Sequence, residues 1–353
     1  MRRVEKPLVS LTGMVLNNGA DQPHSLSLKR KPPWLRAKMP GGEGYTRTKA
    51  IMNEHGLFTV CEEAACPNLG ECWARGIATI MILGDTCTRA CGFCNVRTGR
   101  PPVLDKDEPR RVAESLRLMH AEAGIRHVVI TSVNRDELPD GGAGIWAETI
   151  IRAREASPGL SIEVLIPDFE GNWGALQMVI DAEPHIINHN IECVKRMYPA
   201  VRPSAKYERS IELLRRVKEQ GRIAKTGIMV GIGERDEEVL ELIDEVQAGT
   251  RVGVSSSPDS MPGCPDASVP SSASQPCADA CDILTIGQYL QPTRNHLPID
   301  RWVRPEQFEV FKAEGLKRGF KVVESGPLVR SSYHADKQAD VLTAVASERL
   351  RRK

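Results

Sequence analysis

From residue 79 onward, the spacing of hydrophobic positions along this chain switches repeatedly between two periods. Short apolar runs of strand length alternate with longer stretches whose apolar residues recur every three or four positions. The runs predict strands over 79–83, 127–132, 161–166, 185–191, 225–230, 282–287 and 320–323. The stretches predict helices over 109–123, 145–156, 173–182, 207–220, 236–247 and 305–318. Val112, Leu116 and Met119 illustrate the helical spacing. The helix over 207–220 is heavily charged, and its polar positions read as a solvated face.

Six strand–helix units in succession predict an α/β fold: a parallel sheet with helical crossovers, closed into a partial (β/α)6 barrel of the TIM type. Near-continuous apolar strands fit a sheet covered on both faces. In such folds the chemistry gathers at the C-terminal ends of the strands.

The pattern divides the chain. Residues 1–40 are basic and proline-punctuated, ending in Lys31-Pro32-Pro33-Trp34-Leu35, and read as an extended arm. Residues 41–78 form a cysteine-bearing extension on loops and short helices, 79–325 the core, and 326–353 a C-terminal extension. Residues 249–278 are rich in Ser, Pro and Gly without periodicity, which predicts a disordered insertion between the fifth helix and the sixth strand. It is either a tolerated surface loop, away from the strand ends that carry chemistry, or a gene-model artefact.

Composition narrows the function. The 353 residues carry a formal net charge of +1 and only 5% aromatics, so neither a nucleic-acid partner nor a membrane surface is expected. No apolar run is long enough to cross a membrane. Asn17, Asn18 and Asp21 interrupt any signal-peptide core, and Glu5 and Asp21 count against a mitochondrial transit peptide, so a cytoplasmic location is expected.

Ten cysteines change the picture most. Six lie between Cys61 and Cys94, a local cluster in a long chain, which reads as metal binding in a reducing compartment and not as a disulfide scaffold. Cys193 and Cys281, beside predicted strands, read as buried apolar residues, and Cys264 and Cys277, in the insertion, as free thiols.

Cys87, Cys91 and Cys94 have C-x3-C-x2-C spacing just after the first core strand. Three thiolates can hold a cubane iron–sulfur cluster whose irons ordinarily take four cysteines, which leaves one iron open to a ligand. A zinc site completed by a distant histidine is the alternative on spacing alone. Cys61, Cys66 and Cys72 follow a C-x4-C-x5-C spacing, which suits a second cluster needing one more ligand, or a zinc knuckle.

The C-x3-C-x2-C set, with Phe93 before Cys94, resembles the radical S-adenosylmethionine superfamily. Paired with C-x4-C-x5-C, it resembles the lipoyl synthase family. The resemblance runs from about residue 30 through Pro40-Gly41-Gly42-Glu43, Gly84-Asp85-Thr86-Cys87-Thr88-Arg89, the stretch from Thr131 to Gly142, Asn188-His189-Asn190-Ile191-Glu192, Gly231-Ile232-Gly233-Glu234, Gln288-Tyr289-Leu290-Gln291-Pro292 and Arg330-Ser331-Ser332-Tyr333-His334. Joining residues 248 and 279 directly would restore the family pattern.

The resemblance implies a sulfurtransferase that inserts two sulfur atoms at C6 and C8 of a protein-bound octanoyl-lysine. It implies two 4Fe-4S clusters and S-adenosylmethionine, with Cys87, Cys91 and Cys94 holding the radical-generating cluster. Cys61, Cys66, Cys72 and Ser332 would hold the auxiliary cluster, which is consumed as the sulfur source. A serine oxygen is a poorer ligand for a soft site than a thiolate, which suits an iron that must be released.

Strand-end residues Thr131, Ser132, Asn190, Glu192, Arg202, Gly231, Gly233 and Leu290 are the candidates for binding S-adenosylmethionine. Arg202 suits its carboxylate, the two glycines allow close backbone approach, and Gln288, Tyr289 and Leu290 flank the adenine. Asn295, His296 and Arg330 are candidates for a substrate channel. The implied partners are octanoylated lipoyl carrier domains or the glycine-cleavage H protein, a flavodoxin- or ferredoxin-type reductant, and an iron–sulfur carrier that rebuilds the consumed cluster. Another two-cluster radical enzyme, an electron carrier and a zinc-bound interaction module are the alternatives. The carrier would need a fourth cysteine for each cluster, and the zinc module would contain no sulfide.

Overall fold

The computed structural model describes residues 31–36, 41, 43–54, 58–59, 66, 68–74, 77, 79–252 and 280–338. The strands are β1 (Phe58–Thr59), β2 (Thr79–Ile82), β3 (Thr86–Cys87), β4 (Arg97–Thr98), β5 (His127–Ser132), β6 (Ser161–Leu165), β7 (Ile186–Asn188), β8 (Ile223–Val230), β9 (Ile283–Gln288) and β10 (Val322–Gly326). The helices are α1 (Glu43–Glu54), α2 (Leu69–Ala74), α3 (Glu108–Ala123), α4 (Ala143–Ala156), α5 (Trp173–Asp181), α6 (Tyr198–Val201), α7 (Tyr207–Glu219), α8 (Asp236–Gly249) and α9 (Pro305–Lys317).

The main sheet runs β1-β2-β5-β6-β7-β8-β9-β10. From β2 to β10 every pairing is parallel, and β1 adds an antiparallel edge on β2. Six strand–helix units therefore wind in one direction, with β10 as a seventh parallel strand. Among the described residues no ladder returns from β10 to β1 or β2, so the barrel is partial. The helical faces bury residues such as Val112, Leu116, Trp146, Leu213, Val239 and Phe308 against the strands. No helix among the described residues is long and apolar enough to cross a membrane.

The concave side of the sheet is layered. At the floor, Ile186, Ile223, Ile283 and Val322, the first residues of β7 to β10, pack into a small cluster separate from the main core. Above it lies a charged layer. Lys225 on β8 and Glu163 on β6 pair at 2.9 Å, both fully buried, and Asn188 on the strand between them donates to Glu163 at 3.1 Å. Burial alone would raise the Glu163 pKa, but Lys225 and His127 outweigh it and hold the carboxyl below its ordinary range.

Two predicted boundaries differ. β7 ends at Asn188, not 191, because the chain leaves the ladder there: Glu192 adopts φ 71° and rejoins β8 as a single bridge. Gly249, at the predicted start of the insertion, is the last residue of α8, and Thr250 is fully buried. The Thr250 hydroxyl donates to Val246 O at 2.6 Å and accepts from the Cys281 amide at 2.9 Å, tying the end of α8 to the chain entering β9. The predicted insertion from residue 253 on, including Cys264 and Cys277, lies outside the described residues, as do the arm before residue 31, Cys61, and the chain beyond 338.

Candidate active site

The C-terminal ends of the parallel strands carry the loops that assemble the site. The loop after β2 holds Cys87, Cys91 and Cys94 and is closed on itself by the short β3–β4 pairing, with Gly99 donating to Cys87 O at 3.0 Å. Gly92 donates to Val201 O at 2.9 Å and accepts from Leu297 N at 3.0 Å. A Cβ at Gly92 would lie 2.8 Å from Leu297 Cδ1 and 2.9 Å from Ala200 O, so only glycine fits this sandwich.

Charge fixes the same loop to the strand ends. The Arg89 guanidinium grips Asp136 with two bonds of 2.8 Å and reaches Asp168 at 2.7 Å, and Arg209 meets the far oxygen of Asp168 at 3.0 Å. Burial alone would raise the Asp168 pKa, but Arg89 outweighs it and holds the carboxyl at about 2. Thr88 bonds Asp136 at 2.8 Å and Asn134 O at 3.1 Å. On the other side, His296 Nε2 lies 2.9 Å from Cys94 O, and Thr293 Oγ1 lies 2.8 Å from His296 Nδ1. With Nε2 carrying the proton, His296 donates to Cys94 and accepts from Thr293. His296 thus braces the cysteine loop, while Asn295 is exposed and donates its amide to Thr293 Oγ1.

The thiols suit a metal cluster. Burial, then the neighbouring Cys94, push the Cys91 thiol up to about 12, with Arg202 pulling the other way. A set of thiolates crowded in this way is stable only around a positive centre. Among the described residues no three His, Cys, Asp or Glu side chains converge on a single-ion position. Thiolates around a cubane span the whole cluster and stand farther apart than that.

The strand ends beside this loop hold two orphaned polar atoms. Ser132 Oγ and Asn190 Oδ1 are buried without a hydrogen-bond partner, as expected of groups that meet a polar ligand. Asn190 Nδ2 donates to Glu192 at 3.1 Å, and Arg202 donates to Asn190 O at 2.7 Å. Burial raises the Glu192 pKa, and Arg202 opposes the rise. Thr131 is turned to the protein instead, donating to Leu165 O at 3.0 Å. Leu290 lies half-buried just beyond β9.

The glycine pair after β8 serves the protein first. The Gly231, Ile232 and Gly233 amides all donate to the Glu234 carboxylate, at 2.7, 3.0 and 3.2 Å. Gly231 has φ +88°, and a Cβ there would lie 2.2 Å from Gln288 Nε2. The close approach predicted for a ligand is made here by Gln288 and by Arg301 O. Gln288 is itself spent on Val230, Tyr289, Arg301 and Val303, Tyr289 donates to Leu297 O at 2.7 Å, and both side chains are buried.

Sequence reasoning passed over two strand glycines that shape the mouth of the barrel. A Cβ at Gly227 would lie 2.8 Å from Asn190 Oδ1, and one at Gly287 would lie 2.1 Å from Val329 O. Asn190 and the Val329–Arg330 segment occupy the space these glycines leave. A glycine inside a strand is the available signal for such an approach.

The second cysteine set meets the C-terminal segment. Cys66 precedes α2 and Cys72 lies within it, while Cys61 is outside the described residues. Asn68 donates to Leu328 O at 2.6 Å, and Tyr333 donates to Glu71 at 3.3 Å. Burial raises the Cys66 thiol pKa, against the Asn68 amide and the Arg330 charge. The turn bearing Ser332 is thus docked on the element bearing Cys66 and Cys72, across some 260 residues of sequence. Cys193 and Cys281 are buried, at 1% exposure each. A cavity of about 500 Å³ lined by Ile151, Ser157 and His185 lies at the opposite, N-terminal ends of the strands and shares no residue with this site.

The chain matches the Radical SAM superfamily over residues 81–246 and the N-terminal domain of lipoyl synthase of the Radical_SAM family over residues 17–66. It is 49% identical over 309 residues to "Lipoyl synthase" of Parabacteroides distasonis, covering 87% of this chain and 98% of the relative. It is 47% identical over 308 residues to "Lipoyl synthase, mitochondrial" of Nematostella vectensis, covering 87% and 94%. Among solved structures, the FeFe-hydrogenase maturase HydG from Carboxydothermus hydrogenoformans shares the fold, with a TM-score of 0.51 at 13% identity over 85% of this chain and 78% of that one.

Proposed function

Because the chain belongs to the lipoyl synthase family of radical S-adenosylmethionine enzymes, we propose that its two cysteine sets take separate parts in one reaction. The reaction is the insertion of two sulfur atoms at C6 and C8 of a protein-bound octanoyl-lysine, giving lipoyl-lysine. The enzyme is a sulfurtransferase that uses a 4Fe-4S cluster and S-adenosylmethionine. When bound, these supply a 5′-deoxyadenosyl radical that removes hydrogen from the alkyl chain.

In this reading Cys87, Cys91 and Cys94 hold the radical-site cluster, and the Arg89–Asp136–Asp168 network and His296 keep their loop still. Ser132 Oγ and Asn190 Oδ1 accept hydrogen bonds from polar groups of S-adenosylmethionine, or in the serine's case also donate one. Glu192 and Arg202 set the charge around it. Thr131, Gly231 and Gly233 act by shaping the pocket, and Leu290 lines its edge. Cys61, Cys66, Cys72 and Ser332 hold a second cluster, which is the sulfur source and therefore a substrate.

The observation that carries the second assignment is the docking of the Leu328–Tyr333 segment on the Asn68–Glu71 element. That docking rests the turn that carries Ser332 on the element that carries Cys66 and Cys72. The acyl substrate arrives on a lipoyl carrier protein, an octanoylated lipoyl domain or the glycine-cleavage H protein. Electrons come from a flavodoxin- or ferredoxin-type donor, and an iron–sulfur carrier rebuilds the consumed cluster. A cytoplasmic location agrees with the bacterial relative; the Nematostella relative is named as mitochondrial.

The test is a double variant, Cys66→Ala with Cys72→Ala, reconstituted anaerobically. It should bind iron and sulfide for one cubane, still form 5′-deoxyadenosine with an octanoylated peptide, and yield no sulfur-bearing product. Sulfur insertion by that variant would remove the second assignment.

A further inference from the structure

His189 is engaged at every polar atom it has. Its amide donates to Lys225 O at 3.0 Å, and its carbonyl accepts from Thr226 Oγ1 at 2.9 Å. On the ring, Nδ1 lies 2.9 Å from Ile166 O and Nε2 lies 3.0 Å from Ser210 Oγ, and the residue is 1% exposed. A carbonyl oxygen only accepts, so Nδ1 carries the proton and the bare Nε2 accepts from Ser210. The serine's single proton is then committed to the ring, in place of Lys206 O at 3.4 Å. Its oxygen accepts from the Tyr198 hydroxyl at 3.2 Å, and the Tyr198 oxygen accepts in turn from Arg202 Nη1 at 3.4 Å. Arg202 Nη1 also donates to Asn190 O at 2.7 Å, and Asn190 follows His189 in the chain.

These bonds close a circuit: His189, Ser210, Tyr198, Arg202, Asn190 and back to His189. Its protons all point one way, from Arg202 toward Ile166 O. His189, Tyr198 and Ser210 are buried, so each bond is made away from water. Burial, then Arg202, hold the His189 pKa down to about 4, so the ring is neutral near neutral pH. The circuit sits where the sheet stops helping: β7 ends at Asn188, and Glu192 rejoins β8 only as a single bridge. Asn190 lies between those points, with its Oδ1 buried and unpartnered.

We propose that His189 is a positioning residue for S-adenosylmethionine: through Ser210 and Tyr198 it orients Arg202, which holds the Asn190 backbone and so aims Asn190 Oδ1 into the cofactor pocket. The inference rests on the reading that Asn190 Oδ1 accepts from S-adenosylmethionine. Phenylalanine at 189 keeps a planar ring and removes both nitrogens; at 198 it removes only the hydroxyl.

The experiment compares anaerobically reconstituted wild type, Tyr198→Phe, His189→Phe and the double variant. Iron and sulfide are counted first. The dissociation constant of S-adenosylmethionine is then read from its effect on the electron paramagnetic resonance of the reduced radical-site cluster, and the Michaelis constant of an octanoylated peptide from turnover. Tyr198→Phe should weaken S-adenosylmethionine binding several-fold and His189→Phe at least as much, with iron content and the peptide's Michaelis constant unchanged. Both changes break one circuit, so the double variant should bind no worse than His189→Phe alone. Wild-type affinity in Tyr198→Phe, losses that multiply in the double variant, or iron lost in step with affinity would overturn the positioning role. If His189→Phe does not fold, Tyr198→Phe decides alone: weakened binding supports the circuit and wild-type affinity overturns it. Asn190→Ala tests the reading beneath. Wild-type affinity there would remove Asn190 from the pocket, whereas weakened binding there beside wild-type affinity in Tyr198→Phe would overturn the circuit alone.

Discussion

Asp168→Asn is the sharpest probe of how the cysteine loop is held. The Asp168 side chain is fully buried and bridges Arg89 at 2.7 Å and Arg209 at 3.0 Å. An asparagine keeps the shape but loses the charge, and its amide can present an oxygen to only one of the two guanidiniums. The carboxyl is held at about 2 against an ordinary 3.8. That difference of nearly two pH units corresponds to about 2 kcal/mol of stability in the ionised form. A depressed carboxylate contributes fully above its unfolded pKa, so this term is present near neutral pH and disappears as pH falls from 3.8 toward about 2. Urea unfolding of cluster-free wild type and variant, across neutral to acid pH, measures it without interference from metal loss. The variant should be less stable at neutral pH by about 2 kcal/mol, and the two proteins should converge in acid. It should also take up less iron at the radical site, because Arg89 then keeps a single ion pair, to Asp136. Equal stabilities at neutral pH, or curves that stay parallel into acid, would refute this account of the loop.

Three further substitutions test neighbouring contacts. Gly92→Ala places a methyl 2.9 Å from the Ala200 carbonyl, which is backbone and cannot rotate away, so a loss of about 1–3 kcal/mol and poor radical-site iron loading are expected in unfolding and iron assays. Glu234→Ala removes the acceptor of three consecutive amides and the Arg301 ion pair, and thermal unfolding should show a loss of about 1–3 kcal/mol. His296→Ala removes the bond to Cys94 O, worth about 1 kcal/mol, and should speed iron loss from the radical-site cluster to a chelator while leaving the auxiliary cluster unchanged.

Much of this architecture is legible in the chain because the strands are short apolar runs and the helices amphipathic. Predicted strands 127–132 and 161–166 coincide with β5 and β6 to within a residue. The exception at β7 is instructive. The predicted strand runs to Ile191, but its apolar pair Ile186-Ile187 gives way to Asn188-His189-Asn190, and the left-handed Glu192 takes the chain out of the ladder. The cysteine sets are legible because spacing itself encodes them. Arg89, Asp136 and Asp168 are not, since their partnership depends on three strand ends meeting in space. Gly231 and Gly233 show the limit from the other side: glycine signals a close approach, yet the approaching atoms belong to Gln288, Arg301 and Met197. His296 likewise turns out to hold Cys94.

The opening pair of cysteine triplets becomes asymmetric in three dimensions. One is clamped by ion pairs at the mouth of the barrel; the element bearing Cys66 and Cys72 of the other carries a docked segment from the far end of the chain. The central claim is that the first set makes the radical and the second supplies sulfur to a carrier-bound octanoyl chain. Anaerobic turnover of the reconstituted wild-type protein with an octanoylated carrier peptide, dithionite and S-adenosylmethionine tests it most directly. The account predicts a lipoyl peptide, with two molecules of 5′-deoxyadenosine formed for each lipoyl group. Deoxyadenosine without any sulfur-bearing peptide would contradict it.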